Sequence, residues 1–161
     1  MLATYLSVDE DLKVVEETLL TLNALAHHDP LILENVFYQG NENKETPAMW
    51  ALLYDHLRVK KELKRSVNLG PFKQRIDDGL VLRKAGFTCM STMFKTMPFS
   101  IDIQGFMPHL VEGFGDKDDD IKILCHHIAI QLCDDHPQNV LAHTHKVITL
   151  PCKKCLFLKY L

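Results

Sequence analysis

Near the end of the chain, Cys152-Lys153-Lys154-Cys155 sets two thiols three positions apart, a pairing used by zinc sites and by thiol–disulfide centres. Cys125, Cys133, His126, His127, His136, His143 and His145 could by number complete a set of soft ligands. A structural zinc site, however, needs four ligands converging tetrahedrally, and helical spacing spreads these residues around two helices. No second Cys-x-x-Cys exists, and no strand leads into this one as a thioredoxin-like site requires. Other reactive types fare no better. His27-His28 follow a helix, where imidazoles complement the negative end of the helix dipole. Glu16-Glu17 and Asp118-Asp119-Asp120 are adjacent acids at helix starts or on helix faces, where acids serve as caps. There is no Gly-rich phosphate loop and no Ser nucleophile elbow. The chain is therefore not read as an enzyme, and no catalytic, cofactor-binding or metal-binding residue is assigned. The alternative kept open is a metal-binding or thiol-regulated helical domain built on the C-terminal Cys and His residues.

Those residues must be positioned by something, and the composition limits what. At 161 residues the chain is read as a single segment that buries a core without a staple. Its 47% hydrophobic and 24% charged residues are an ordinary globular balance, and 7 Gly with 7 Pro are too few for a chain of hairpins. A net charge of −3 argues against a nucleic-acid surface. No apolar run reaches the roughly 18 residues of a membrane helix, and "MLATYLSVDEDLK" lacks the pattern of a signal peptide. Five Cys, an odd number, suit packing thiols in a reducing cytoplasm or nucleus. Charge is unevenly spread. Arg58, Lys60, Lys61, Lys64, Arg65, Lys73 and Arg75 oppose Glu62 alone, whereas Glu112 to Asp120 holds five acids against Lys117.

Three segments share one plan, a short acidic turn followed by an amphipathic helix. In the first, Leu12, Val15, Leu19, Leu22 and Ala26 recur at steps of three and four. Leu80, Arg83, Phe87, Met90 and Phe94 take the matching places in the second, and Ile121, Leu124, Ile128, Leu132 and Asp135 in the third. Asp residues before each helix are expected to cap its free N–H groups. Pro30, Pro98 and Pro137 follow the three helices. The spacing predicts partner helices over roughly Leu31–Phe37, an interrupted Ala48–Lys61, "IDIQGFMPHLVEGF" and "NVLAHTHKVITL". Leu80 to Ile121 is 41 residues, a paired-helix solenoid spacing. Leu12 to Leu80 is 68, so one repeat carries about 27 extra. A solenoid of about three helix pairs is the expectation, with a globular bundle as its alternative. A solenoid presents a long surface to a protein partner.

The excess falls on "KKELKRSVNLGPFKQRIDDGL". Val67 and Leu69, then Phe72, Gln74 and Ile76, follow a period of two on either side of Gly70-Pro71. That reads as a β-hairpin over Leu63–Asp77 reversed by a Gly-Pro turn. Exposed Val, Leu and Phe among Lys and Arg would form an interface anchor. In the alternative, Leu63, Val67 and Phe72 pack down on the helices. An irregular insertion over 39–50, with Gly40 and Pro47, and a divergent tail over 142–161 complete the layout.

The stretch "VKKELKRSVNLGPFKQRIDDGLVLRKAGFTCM" resembles the C-terminal region of the cullin-associated, neddylation-dissociated proteins, which are HEAT-repeat solenoids. The shared pattern is Lys61-Glu62-Leu63, Gly70-Pro71-Phe72-Lys73, Asp77-Asp78-Gly79-Leu80, Arg83-Lys84-Ala85 and Cys89-Met90. The resemblance covers about residues 10 to 142. It implies an all-α HEAT-type solenoid with one projecting hairpin, binding a cullin that lacks its ubiquitin-like modifier within a cullin–RING ligase core. It also implies competition with the substrate-receptor adaptor, hence receptor exchange and ligase assembly, and a separate N-terminal half of the family as a further partner. The partner-binding residues implied are Leu63, Lys64, Arg65, Val67, Leu69, Gly70, Pro71, Phe72, Lys73 and Arg75. Neither nucleic acid nor membrane is among the partners.

Overall fold

In a computed structural model of the chain, residues 5–6, 11–38, 48–70 and 72–140 are described. Helix α1 (Leu12–His28) begins where Asp11 is extended and its carboxylate accepts a hydrogen bond from the Lys13 amide at 2.9 Å. Its apolar stripe, Val15, Leu19, Leu22 and Ala26, is buried. The chain breaks at Asp29, and Pro30 opens α2 (Pro30–Tyr38), where its missing N–H costs nothing. Helix α3 (Ala48–Asp55) follows, then strands β1 (Lys64–Leu69) and β2 (Phe72–Asp77), then α4 (Leu80–Thr96). A 3-10 turn at Pro98–Ser100 leads to α5 (Ile103–Phe114) and finally α6 (Asp119–Asp135).

The helices form two layers. Helix α4 packs between α1 and α6, so the three segments of common plan lie side by side. Helix α2 pairs with α1, and α5 with α6. Across the second layer and into α4 runs a row of rings: Phe37 on Trp50 at 4.3 Å between centroids, Trp50 on Tyr54 at 5.9 Å, Tyr54 on Phe106 at 6.1 Å and Phe106 on Phe94 of α4 at 5.1 Å. Such tilted pairs add about 1 kcal/mol each beyond the area they bury. The Tyr54 hydroxyl donates to the Asp102 carbonyl at 2.9 Å, tying α3 to the start of α5. Leu19, Leu22, Phe87, Met90, Met93 and Phe106 are fully buried, each stabilising by roughly 1.5–3 kcal/mol relative to exposure. Among the described residues this is the all-α, HEAT-type arrangement with one inserted hairpin.

Two expectations are corrected here. Capping by Asp is met at α1 and at α6, where Asp118 accepts from the amides of Asp120 (3.1 Å) and Ile121 (3.3 Å). At α4 the cap is Gly79 with no side-chain bond, because Asp77 and Asp78 are drawn to arginines instead. The helix expected to run to Lys61 ends at Asp55. The amides of His56 and Leu57 tighten onto the carbonyls of Leu53 (3.2 Å) and Tyr54 (3.1 Å). Leu57 then lies against α4 at Gly86, where any Cβ would come within 2.7 Å of Leu57 Cδ2. Lys60 closes the turn on Asp55 at 2.5 Å, and a 3-10 turn at Lys61–Leu63 enters the hairpin. Residues 48–50 of the region read as an irregular insertion are the first turn of α3, with Met49 and Trp50 in the core. Residues 39–47 and 141–161 lie outside the described residues.

Candidate protein-binding hairpin

β1 and β2 pair antiparallel from Lys64↔Asp77 to Leu69↔Phe72, and Gly70 follows the end of β1. Gly70 has φ +67°, a left-handed conformation open to glycine and closed to proline. The order Gly-Pro therefore matters: the positive φ falls on the residue that tolerates it. Because side chains alternate, Val67, Phe72, Gln74 and Ile76 lie on one face. Lys64, Ser66, Asn68, Lys73, Arg75 and Asp77 lie on the other, and Arg65 shares the first face near its base. The hairpin has one face mainly apolar toward its tip and one mainly basic.

A two-stranded hairpin is marginal alone in water, and this one is secured at its base. Arg83, with only 3% of its side chain exposed, projects from the first turns of α4. Its Nη1 and Nη2 donate to the two Asp77 carboxylate oxygens at 3.4 and 3.1 Å, and its Nε donates to Asp116 at 3.0 Å. Asp116 is itself 4% exposed and comes from the loop between α5 and α6. One guanidinium thus holds the end of β2 to two neighbouring repeats. At the surface Arg65 grips Asp78 with two bonds, 2.6 and 3.2 Å, and the Asp78 amide donates to the Leu63 carbonyl at 3.0 Å. Lys84 spans to Asp118 (3.2 Å) and Asp120 (2.6 Å) on α6. The Asp-Asp-Gly-Leu and Arg-Lys-Ala motifs are, physically, this anchor.

The partner-binding residues expected from sequence divide between base and tip. Leu63 is half-buried and packed against the core, with Lys64 and Arg65 beside it in ion pairs. Val67 is half-buried, whereas Gly70, Lys73 and Arg75 are exposed. Phe72 is 74% exposed at the tip. Leu69 pairs with Phe72 through the backbone, and Pro71 lies outside the described residues. Phe72 therefore does not pack down, while Leu63 does. Sequence reasoning missed Arg83, Asp77 and Asp116 as the anchor. The available signal was an arginine at a core position of α4, since a buried charge demands carboxylates.

The described cysteines are held as thiols. Burial pushes the Cys89 thiol up to about 12 and raises that of Cys125 further. Burial, with Asp134 nearby, raises Cys133 as well. Among the described residues no three His, Cys, Asp or Glu converge on a metal site; Cys152, Cys155, His143 and His145 lie outside them. Among the described residues, too, no helix is long and apolar enough to cross a membrane.

The family described as TATA-binding protein interacting (TIP20), TIP120, matches residues 43–160, which include the hairpin and its whole anchor. The chain belongs to the TIP120 family. Its relatives include Cullin-associated NEDD8-dissociated protein 1 of Dictyostelium discoideum, 38% identical over 128 residues, covering 80% of this chain and 10% of that protein. The Arabidopsis thaliana protein of the same name is 38% identical over 135 residues, covering 83% and 10%. A relative from Emericella nidulans, the C-terminal part of Cullin-associated NEDD8-dissociated protein 1, is 29% identical over 142 residues, covering 84% and 12%. This TIP120 chain spans about a tenth of the length of the relatives it matches.

Proposed function

We propose that this chain is a protein-binding scaffold segment whose hairpin docks on a cullin lacking its ubiquitin-like modifier, within a cullin–RING ligase core, in competition with the substrate-receptor adaptor. The observation that carries the reading is an aromatic ring, 74% exposed, at the tip of a basic arm secured to two repeats. Aromatic side chains that enter a partner's pocket dominate binding energy, and an arm ordered beforehand loses little entropy on docking. The relatives' name, cullin-associated, supplies the class of partner. Competition follows from linkage. If hairpin and adaptor occupy overlapping positions, each weakens the other by the same factor, and the adaptor exchanges. This exchange would support ligase assembly in the cytoplasm or nucleus. A separate N-terminal half of the family is a further partner in this reading.

The test is a pull-down of the chain on an unmodified cullin–RING core, with and without adaptor. Binding that adaptor reduces is expected. Deletion of Ser66–Gln74 should abolish the mutual exclusion, and a deleted chain that still excludes adaptor would overturn the mechanism.

A further inference from the structure

Ser66 lies midway along β1, exposed, on extended backbone. Among the described Ser and Thr residues it alone lies on a strand. Thr18, Thr21, Thr92 and Thr96 donate their hydroxyls to carbonyls of their own helices, and Ser100 is buried against Glu34. Four of the six residues before Ser66 are basic (Lys60, Lys61, Lys64, Arg65), against Glu62 alone. The residue directly opposite it is Arg75, with Lys73 one step diagonally toward the tip and Lys64 on its own strand. Among the described residues Lys73 and Arg75 make no ion pair. Asp77, the other diagonal neighbour, is held by Arg83.

We propose that Ser66 is a phosphorylation site for a kinase that selects basic sequences, and that its phosphate neutralises the basic face of the hairpin. An accessible hydroxyl on extended chain behind a cationic run presents what an acidic kinase cleft recognises. The Ser66 Oγ attacks the γ-phosphorus of ATP, the bond from that phosphorus to the β,γ-bridging oxygen breaks, and ADP leaves. The hydroxyl proton passes to the kinase's base. The added phosphate carries roughly −1.5 to −2 charges and three strong acceptors. Arg75 and Lys73 face it across the strand pair and would hold it by charge-assisted bonds. Lys64, Lys73 and Arg75 against Asp77 give that face about two net positive charges, which the phosphate roughly cancels by that figure. The consequence for a partner rests on the docking reading above; the modification itself does not.

To test this, the full chain is incubated with a Lys/Arg-directed Ser/Thr kinase and Mg-ATP, mapped by mass spectrometry, and eluted from heparin with salt. One phosphate is expected, on the peptide holding Ser66 and absent from Ser66→Ala, with the modified chain leaving heparin at lower salt. No phosphate, or phosphate elsewhere with Ser66 unmodified, overturns the site. Full phosphorylation with unchanged elution overturns neutralisation of the basic face. No cullin enters the experiment, so its outcome is separate from that of adaptor competition.

Discussion

Arg83 occupies a position that the helical period assigns to the core, between Leu80 and Phe87. Removing its guanidinium would strand two carboxylates, one of them almost fully buried. Arg83→Met is therefore expected to cost about 3 kcal/mol or more, read as a lower urea midpoint. Arg83→Lys should recover only part, since one ammonium cannot repeat a three-nitrogen fork. An unchanged midpoint for the Met variant would show that the triad contributes nothing. Histidines set a second test. Burial lowers the His56 imidazole against the pull of its 2.9 Å bond to the Leu6 carbonyl, and Lys60 lowers it further. Burial, then Arg58, lowers His109. In the unfolded chain both titrate near ~6.5, so on acidification through that value the unfolded state binds protons that the folded state refuses. Stability should be flat above about pH 7 and fall below about 6.5. Melting temperatures at several pH values check this, with a shallower fall in His56→Gln. Cys89 and Cys125, held as buried thiols, should be alkylated only after unfolding.

At the scale of elements, the docking proposed for the hairpin is separable from stability. Phe72→Ala removes an exposed ring, so the unfolding midpoint should move by less than about 0.5 kcal/mol. Cullin binding should nevertheless weaken by about 2 kcal/mol, roughly thirtyfold, if the ring is the anchor. Equal binding by the variant would remove Phe72 from that role. Gly70→Ala meets no atom within 4 Å, so only its φ opposes the change, at about 1–2 kcal/mol. That loss should appear as faster amide exchange in β1 and β2 with α4 unaffected. The hairpin was legible because its period of two and its Gly-Pro reversal are local facts. So were the stripes of α1, α4 and α6. The end of α3 was not, because just past it Leu57 meets Gly86, 29 residues on in the chain and invisible to any local pattern. The same holds for the base of the hairpin. Asp77 and Asp78 look like caps until Arg83 and Arg65 compete for them, and Asp116 reaches Arg83 from another repeat.

For the whole molecule, repeat stacking depends on how closely the layers approach. At Gly113 of α5 a Cβ would collide with Cys125 Sγ on α6 and come within 2.8 Å of Phe87 on α4. Gly113→Ala should cost about 1–3 kcal/mol by overpacking and loosen three helices together, lowering the midpoint of the entire transition. The 41-residue spacing pointed to α4 beside α6, and the plan shared by the three segments added α1, whereas the second layer depends on the ring row, most of whose members lie far apart in sequence. That row has an optical consequence. Trp50, the chain's single tryptophan, lies wedged between Phe37 and Tyr54 and is 1% exposed. Its fluorescence therefore comes from one dry site in the second layer, far from water's relaxing dipoles, and should be blue-shifted in the folded chain. Any event that parts α2, α3 and α5 will shift that emission to the red. The molecule thus carries an intrinsic dye, sensitive to opening of its helices and set apart in sequence from the hairpin.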